Sequence, residues 1–183
     1  MPGQDALARL QDAAVLWSIG SATPAEVVEA ACDCLEAGVD SPALRILAGL
    51  SSAPNADSDE LRRWLGDALG ELSLTYYREG SRDGEDAAVR IMARRLLAGA
   101  ITPRDLTSWA YTRITREGTP LARELVDLDD AYERVEPFIY DGPAYPTAAV
   151  AKVDADVIAE ARRLVGEQAA GSPASGPTRS GRD

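Results

Sequence analysis

The chain has no histidine in its 183 residues. That removes the side chain whose ordinary pKa lies nearest neutrality, and with it the commonest general base. Serine triads and most zinc or iron sites lose their usual member. Lysine is almost absent as well: Lys152 is the single one among 19 basic residues. Aromatic residues are few (three Trp, six Tyr, one Phe), and Val and Ile are sparse beside Ala and Leu, so the composition serves helices well and strands poorly. Cysteine is limited to Cys32 and Cys34. Two residues apart on a helix, they point about 200° apart and cannot bridge each other. No further ligands complete a zinc pattern, and Cys34 falls on an apolar face as a small core residue. No run approaches the ~20 apolar residues that cross a bilayer. Met1 to Leu10 carries Asp5 and Arg9 and lacks an apolar stretch of the signal-peptide kind. No membrane segment and a cytoplasmic location are therefore expected. Neither GxGxxG nor GxxxxGK[ST] occurs, so no glycine-rich phosphate loop is expected.

What is present in quantity is negative charge. The formal net charge is −11, and it is unevenly spread. Residues 1–44 hold seven acids and one Arg; residues 117–141 hold eight acids and two Arg; residues 78–116 hold eight Arg and five acids. An acidic chain repels phosphate backbones and is steered towards basic partners, so nucleic acid is not an expected ligand and a basic protein is. Hydrophobic residues make up 45%, enough for a packed core rather than a disordered chain.

Helix signals recur from end to end. Leu7, Leu10, Ala14 and Trp17 repeat at helical spacing in the first segment. Thr23-Pro24-Ala25-Glu26 is a capping box with proline at the first helical position; Val27, Val28, Ala31, Cys34 and Leu35 then share a face, and Gly38 ends the helix. Ser41-Pro42 opens a short helix with Leu44 and Leu47. Leu61, Trp64, Leu65, Ala68, Leu69 and Leu72 mark an amphipathic helix after a loop at 51–57. A helix is predicted from about Glu85 to Ala98, with Asp86 and Arg90 as an i,i+4 pair; the cluster of Arg90, Arg94 and Arg95 could grip a phosphate or a carboxylate, and its neighbours Glu85 and Asp86 favour internal pairing instead. Thr102-Pro103 and Thr119-Pro120 open two more helices, the second striped by Leu121, Leu125, Leu128 and Tyr132. Proline and glycine keep 137–147 from regular helix. A last helix is expected over roughly 154–168, within a single helical domain of 1–170 and ahead of a flexible tail at 171–183. The expected fold is all-α: an irregular bundle of about eight short helices. The units beginning at Thr23 and Thr102 look alike, which reads either as duplicated helix–turn–helix hairpins or as the same capping chemistry used twice.

The string Asp127-Leu128-Asp129-Asp130-Ala131-Tyr132-Glu133 is the densest in potential ligands. Asp129-Asp130-x-x-Glu133 resembles the DDxx[DE] motif with which helical terpene synthases hold magnesium, though a second metal motif and an aromatic-rich interior are lacking. Asp130 and Glu133 share a helix face, but no loop adds the further oxygens that a hard cation needs. Glu26-Val27-Val28-Glu29 has the ExxE spacing of helical nucleotide pyrophosphatases, without the ExxD that should follow. The alternative for the acids around Asp130 is a solvated face. The segment after them carries Phe138, Tyr140 and Tyr145 among prolines. Such aromatics suit an interface, or they plug the bundle.

Ile101-Thr102-Pro103 to Trp109-Ala110, followed by Leu125-Val126-Asp127-Leu128-Asp129-Asp130-Ala131-Tyr132, resembles uncharacterised all-helical proteins of high-GC bacteria. The likeness covers about a quarter of the chain, and Tyr111 stands where the resemblance would place histidine. It implies a helical fold and brings no activity with it. By analogy, small acidic helical proteins of this kind are often immunity proteins that block a cognate toxin. The expected function is thus a non-enzymatic acidic domain that engages a basic protein partner, with neither cofactor nor metal. Its expected surface is Asp127, Asp130, Glu133, Glu136, Phe138, Tyr140, Asp141 and Tyr145. The rival readings are a homodimeric helical scaffold and a carboxylate-dependent magnesium enzyme.

Overall fold

In a computed structural model, residues 2–51, 58–135 and 148–171 are described, with side chains to Glu167. They form eight α-helices, with no strand among the described residues. In chain order the helices are α1 (Pro2–Ser18), α2 (Pro24–Glu36), α3 (Pro42–Ala48), α4 (Ser58–Glu71), α5 (Arg82–Leu97), α6 (Pro103–Trp109), α7 (Arg123–Val135) and α8 (Ala148–Gly171). The chain is the all-α bundle that its composition favours. The expected loop beyond Ser51, the proline-rich segment 137–147 and the expected tail after Gly171 lie outside the described residues.

The capping chemistry forms as the sequence anticipates. The Glu26 amide donates to the Thr23 hydroxyl at 3.3 Å, and the Thr23 amide donates to the Glu26 carboxylate at 2.7 Å. At α6 the same reciprocal pair joins Asp105 and Thr102, at 3.1 and 2.9 Å. Those bonds to Thr102 hold the Asp105 carboxyl below its ordinary 3.8. Pro24, Pro42 and Pro103 each stand at the start of a helix, where a missing N–H costs nothing. Gly38 takes φ 81°, a left-handed geometry suited to glycine, just beyond α2.

Two helices begin earlier than expected. α5 begins at Arg82, ahead of the expected Glu85, because the Ser81 hydroxyl accepts the Gly84 amide at 3.2 Å. α8 starts at Ala148, ahead of the expected 154, since alanines dominate its first turn. The hairpins beginning at Thr23 and Thr102 share their caps and differ in their turns. α2 reaches α3 through Gly38, whereas α6 runs into a π turn at Ala110–Ile114 and a short 3₁₀ turn at Pro120–Ala122 before α7.

The apolar faces gather into two clusters. Ala6, Leu10 and Ala14 of α1 pack with α2, α3 and α4 around Val27, Leu44, Leu65 and Leu69. Val15 and Leu16, next along α1, join α5, α6, α7 and α8 around Val89, Leu106, Leu125, Tyr132, Val157 and Leu164. α1 therefore belongs to both clusters, and packs against both α2 and α5. Cys34 is buried and Cys32 half-buried, both as free thiols. No helix among the described residues is long and apolar enough to cross a membrane.

Candidate functional site

α7 carries the acidic string, and its two sides have different fates. Leu125, Val126, Leu128 and Tyr132 are buried, and so is Asp129. Asp129 meets the Arg104 guanidinium of α6 at 2.6 Å. Arg104 also lies over the Tyr132 ring, 5.0 Å from its centre, and the Tyr132 hydroxyl donates to the Asp154 carboxylate of α8. A solvated face is therefore the wrong description of Asp129. Four residues after Leu125, it lies on the same buried side of the helix, where it joins a charged network that ties α6, α7 and α8 together.

Asp127 and Asp130 are more exposed, and both turn to one cation. Arg116 reaches Asp127 at 3.2 Å and forms a second, close ion pair with Asp130. Glu133 is exposed and makes no ion pair among the described residues. Of the surface expected from sequence, Asp127 and Asp130 are thus brought together, with an arginine between them. Glu136, Phe138, Tyr140, Asp141 and Tyr145 lie outside the described residues. Among the described residues no group of three His, Cys, Asp or Glu side chains is arranged to hold a metal ion.

A longer acidic surface runs along α2. Glu26, Glu29, Asp33 and Glu36 recur at three- and four-residue intervals, which places them within about 80° of one another around the helix. α2 contains no basic residue. Arg9 of α1 reaches Asp33 at 3.4 Å, while Glu29 and Glu36 are exposed and form no ion pair among the described residues. Glu26, Glu29 and Asp33 flank a groove of about 320 Å³ between α1 and α2, with Asp12, Arg9 and Arg95 also in its walls. Burial pushes the Asp12 carboxyl above its ordinary 3.8, against the opposing pull of Arg94 and Arg95. The four-acid spacing is visible in the sequence, but the capping box and the ExxE spacing account for Glu26 there and hide the stripe.

The arginines of α5 do not pair as their spacing suggests. Asp86 accepts a hydrogen bond from the Thr119 hydroxyl, and Arg94 reaches across to Asp12 at 3.0 Å. Arg90 is left without an ion pair among the described residues, and its Nε is buried with no hydrogen-bond partner there. Local i,i+4 pairing is worth only a few tenths of a kcal/mol, so tertiary partners displace it easily.

The large exposed apolar side chains among the described residues are Ile46, Tyr76, Leu97 and Tyr111. They fall on α3, the segment before α5, the end of α5 and the π turn, and so do not mark out one helix face for self-association. No family model matches this chain, and neither a curated protein nor a solved structure matches it.

Proposed function

We propose that the chain is a non-enzymatic binding domain that engages a basic protein partner. The observation that carries this reading is the α2 stripe: Glu26, Glu29, Asp33 and Glu36 on one face of a helix without a basic residue, with Arg9 offsetting Asp33 and Glu29 and Glu36 exposed, beside a groove with room for a side chain. Like-charged carboxylates along a surface repel one another, and a cationic partner relieves that repulsion and is steered to it. The α7 acids support the reading less, because Arg116 already offsets Asp127 and Asp130.

The test is affinity capture from the native cell at rising ionic strength. Wild type should retain a protein of high isoelectric point at low salt and release it as salt rises. Glu29→Lys/Glu36→Lys should lose it, since these two acids have no ion pair to break among the described residues, and circular dichroism should show the variant folded. Asp127→Lys/Glu133→Lys, made in parallel, reports on the α7 surface. Failure of wild type to retain a basic protein, or undiminished retention by both variants, overturns the proposal. The chain joins the toxin-neutralising immunity proteins if the captured partner is toxic when produced alone and harmless when produced with it.

A further inference from the structure

No one helix carries the exposed apolar side chains, but two of them, Ile46 and Tyr76, border the same helix. On one side of α4, Ile46 of α3 and the half-buried Trp64 flank a groove of about 330 Å³. On the other side, the Tyr76 ring lies 3.9 Å from where a Cβ of Gly66 would stand. Between these flanks α4 presents Arg63, Gly66, Asp67 and Gly70, within about 100° of one another around the helix. A Cβ at Gly70 would meet open space, so the middle of this face is bare backbone with apolar surface to either side.

Charge selects what covers it. Arg62 is taken by Asp59 and Glu79, at 2.6 and 3.1 Å. Arg63 and Asp67 are exposed, opposite in sign and one turn apart, and neither forms an ion pair among the described residues. The Arg63 guanidinium lies instead over the Trp64 ring, 5.0 Å from its centre. The two charges cancel, so this face does not steer a basic partner as the α2 stripe does. They are complementary to a second copy of themselves. In an antiparallel pair of α4 helices, with a two-fold axis level with Leu65, Arg63 stands at the height of the second copy's Asp67. By the same rotation Asp67 meets the second copy's Arg63. The rotation also keeps Trp64 and Ile46 of both copies on one side of the axis, where their exposed apolar surface meets. We propose that this face of α4 is the contact of a weak homodimer, with two reciprocal Arg63–Asp67 pairs between copies and Ile46 and Trp64 covered beside them. The surface shares no residue with the α2 stripe and goes beyond the partner-binding reading.

Sedimentation equilibrium of the full chain tests this. The salt is set at about 0.15 M, where a Debye length of about 8 Å screens the net repulsion between copies and leaves contact pairs in place. Wild type should shift from monomer to dimer as its concentration rises to about 100 µM, where a dimer of micromolar Kd is largely formed. Asp67→Arg and Arg63→Asp each set like charges against each other twice across the axis, and each should weaken association about tenfold or more. Mixed together, the two variants restore both pairs and should associate with each other. Ile46→Ser, which leaves the charges alone, should also weaken the dimer. All three substitutions fall on exposed side chains, and circular dichroism should show each variant folded. A wild type that stays monomeric overturns the proposal. So does a dimer that survives both Asp67→Arg and Ile46→Ser, or a mixture of the two charge variants that fails to associate.

Discussion

The Arg104 guanidinium sits 2.6 Å from the Asp129 carboxylate, and this contact places a buried acid in the middle of an otherwise exposed acidic run. The Asp129 side chain is 8% exposed against 43% for Asp130, its immediate neighbour. The two should therefore respond very differently to the same change. Asp129→Ala takes the carboxylate from Arg104 and should destabilise the fold by about 2–3 kcal/mol, towards the lower end of what breaking a buried pair costs because Arg104 keeps some water and its place over Tyr132. Asp130→Ala should leave the urea midpoint nearly unchanged, as surface pairs contribute little. Equal effects from the two substitutions would mean that both acids sit in one environment.

Arg116 bears on the metal question. It reaches both Asp127 and Asp130, so a divalent cation at these carboxylates must displace a guanidinium already paired with them. Calorimetric titration with magnesium and manganese should show no saturable site of micromolar affinity in wild type. Arg116→Ala should bind manganese more readily than wild type does, though weakly, since two carboxylates supply too few oxygens for a tight site. Micromolar binding by wild type that is lost in Asp130→Asn would revive the magnesium-enzyme reading.

Local chemistry made most of the fold legible in sequence. Thr23-Pro24 and Thr102-Pro103 announce their helices because a cap is satisfied within three residues of chain. The stripe of Leu125, Leu128 and Tyr132 announces a buried face for the same reason: periodicity is a property of one helix. What stayed hidden depends on which helices meet. Asp129 looks no different from Asp130 until α6 brings Arg104 beside it, and Arg90 looks paired with Asp86 until Thr119 takes that carboxylate. The groove along α1 likewise exists only where α2 packs against it, and no single segment encodes it.

The turn after α6 stores backbone strain at Thr115, which adopts φ 64° and ψ 179°. That combination is comfortable only for glycine. The Thr115 hydroxyl partly compensates: it donates to the Glu117 carboxylate at 2.8 Å and accepts the Glu117 amide at 3.3 Å. Thr115→Ala removes those bonds and keeps the strain, whereas Thr115→Gly removes both. The glycine variant should therefore be more stable than the alanine variant by about 1 kcal/mol. Gly118, nearby, has the opposite constraint, since a Cβ there would run into the Ile114 carbonyl and side chain. Gly118→Ala should cost about 1–3 kcal/mol, as forced repacking does. Thermal denaturation of the three variants checks both statements.

Asp12 links stability to pH in a direction that a simple ion-pair argument would reverse. Its contact with Arg94 alone would favour the ionised form and lower its pKa. Burial outweighs that contact and raises the carboxyl above its ordinary 3.8. A carboxyl that holds its proton more tightly when folded contributes most at low pH. Its contribution falls as pH rises from about the unfolded value through the raised folded value, because the folded state there binds more protons than the unfolded state. Asp12→Asn cannot ionise and lacks this dependence. The stability of wild type minus that of Asp12→Asn should therefore decrease as pH rises from the unfolded carboxyl's pKa through the raised folded one, and then level off. Other carboxylates cancel in the difference to the extent that they are unaffected by the substitution. Urea denaturation of both proteins at several pH values gives the curve directly. A difference that grows with pH would mean that the Arg94 contact dominates, and that the α1–α5 interface gains from the charge it encloses.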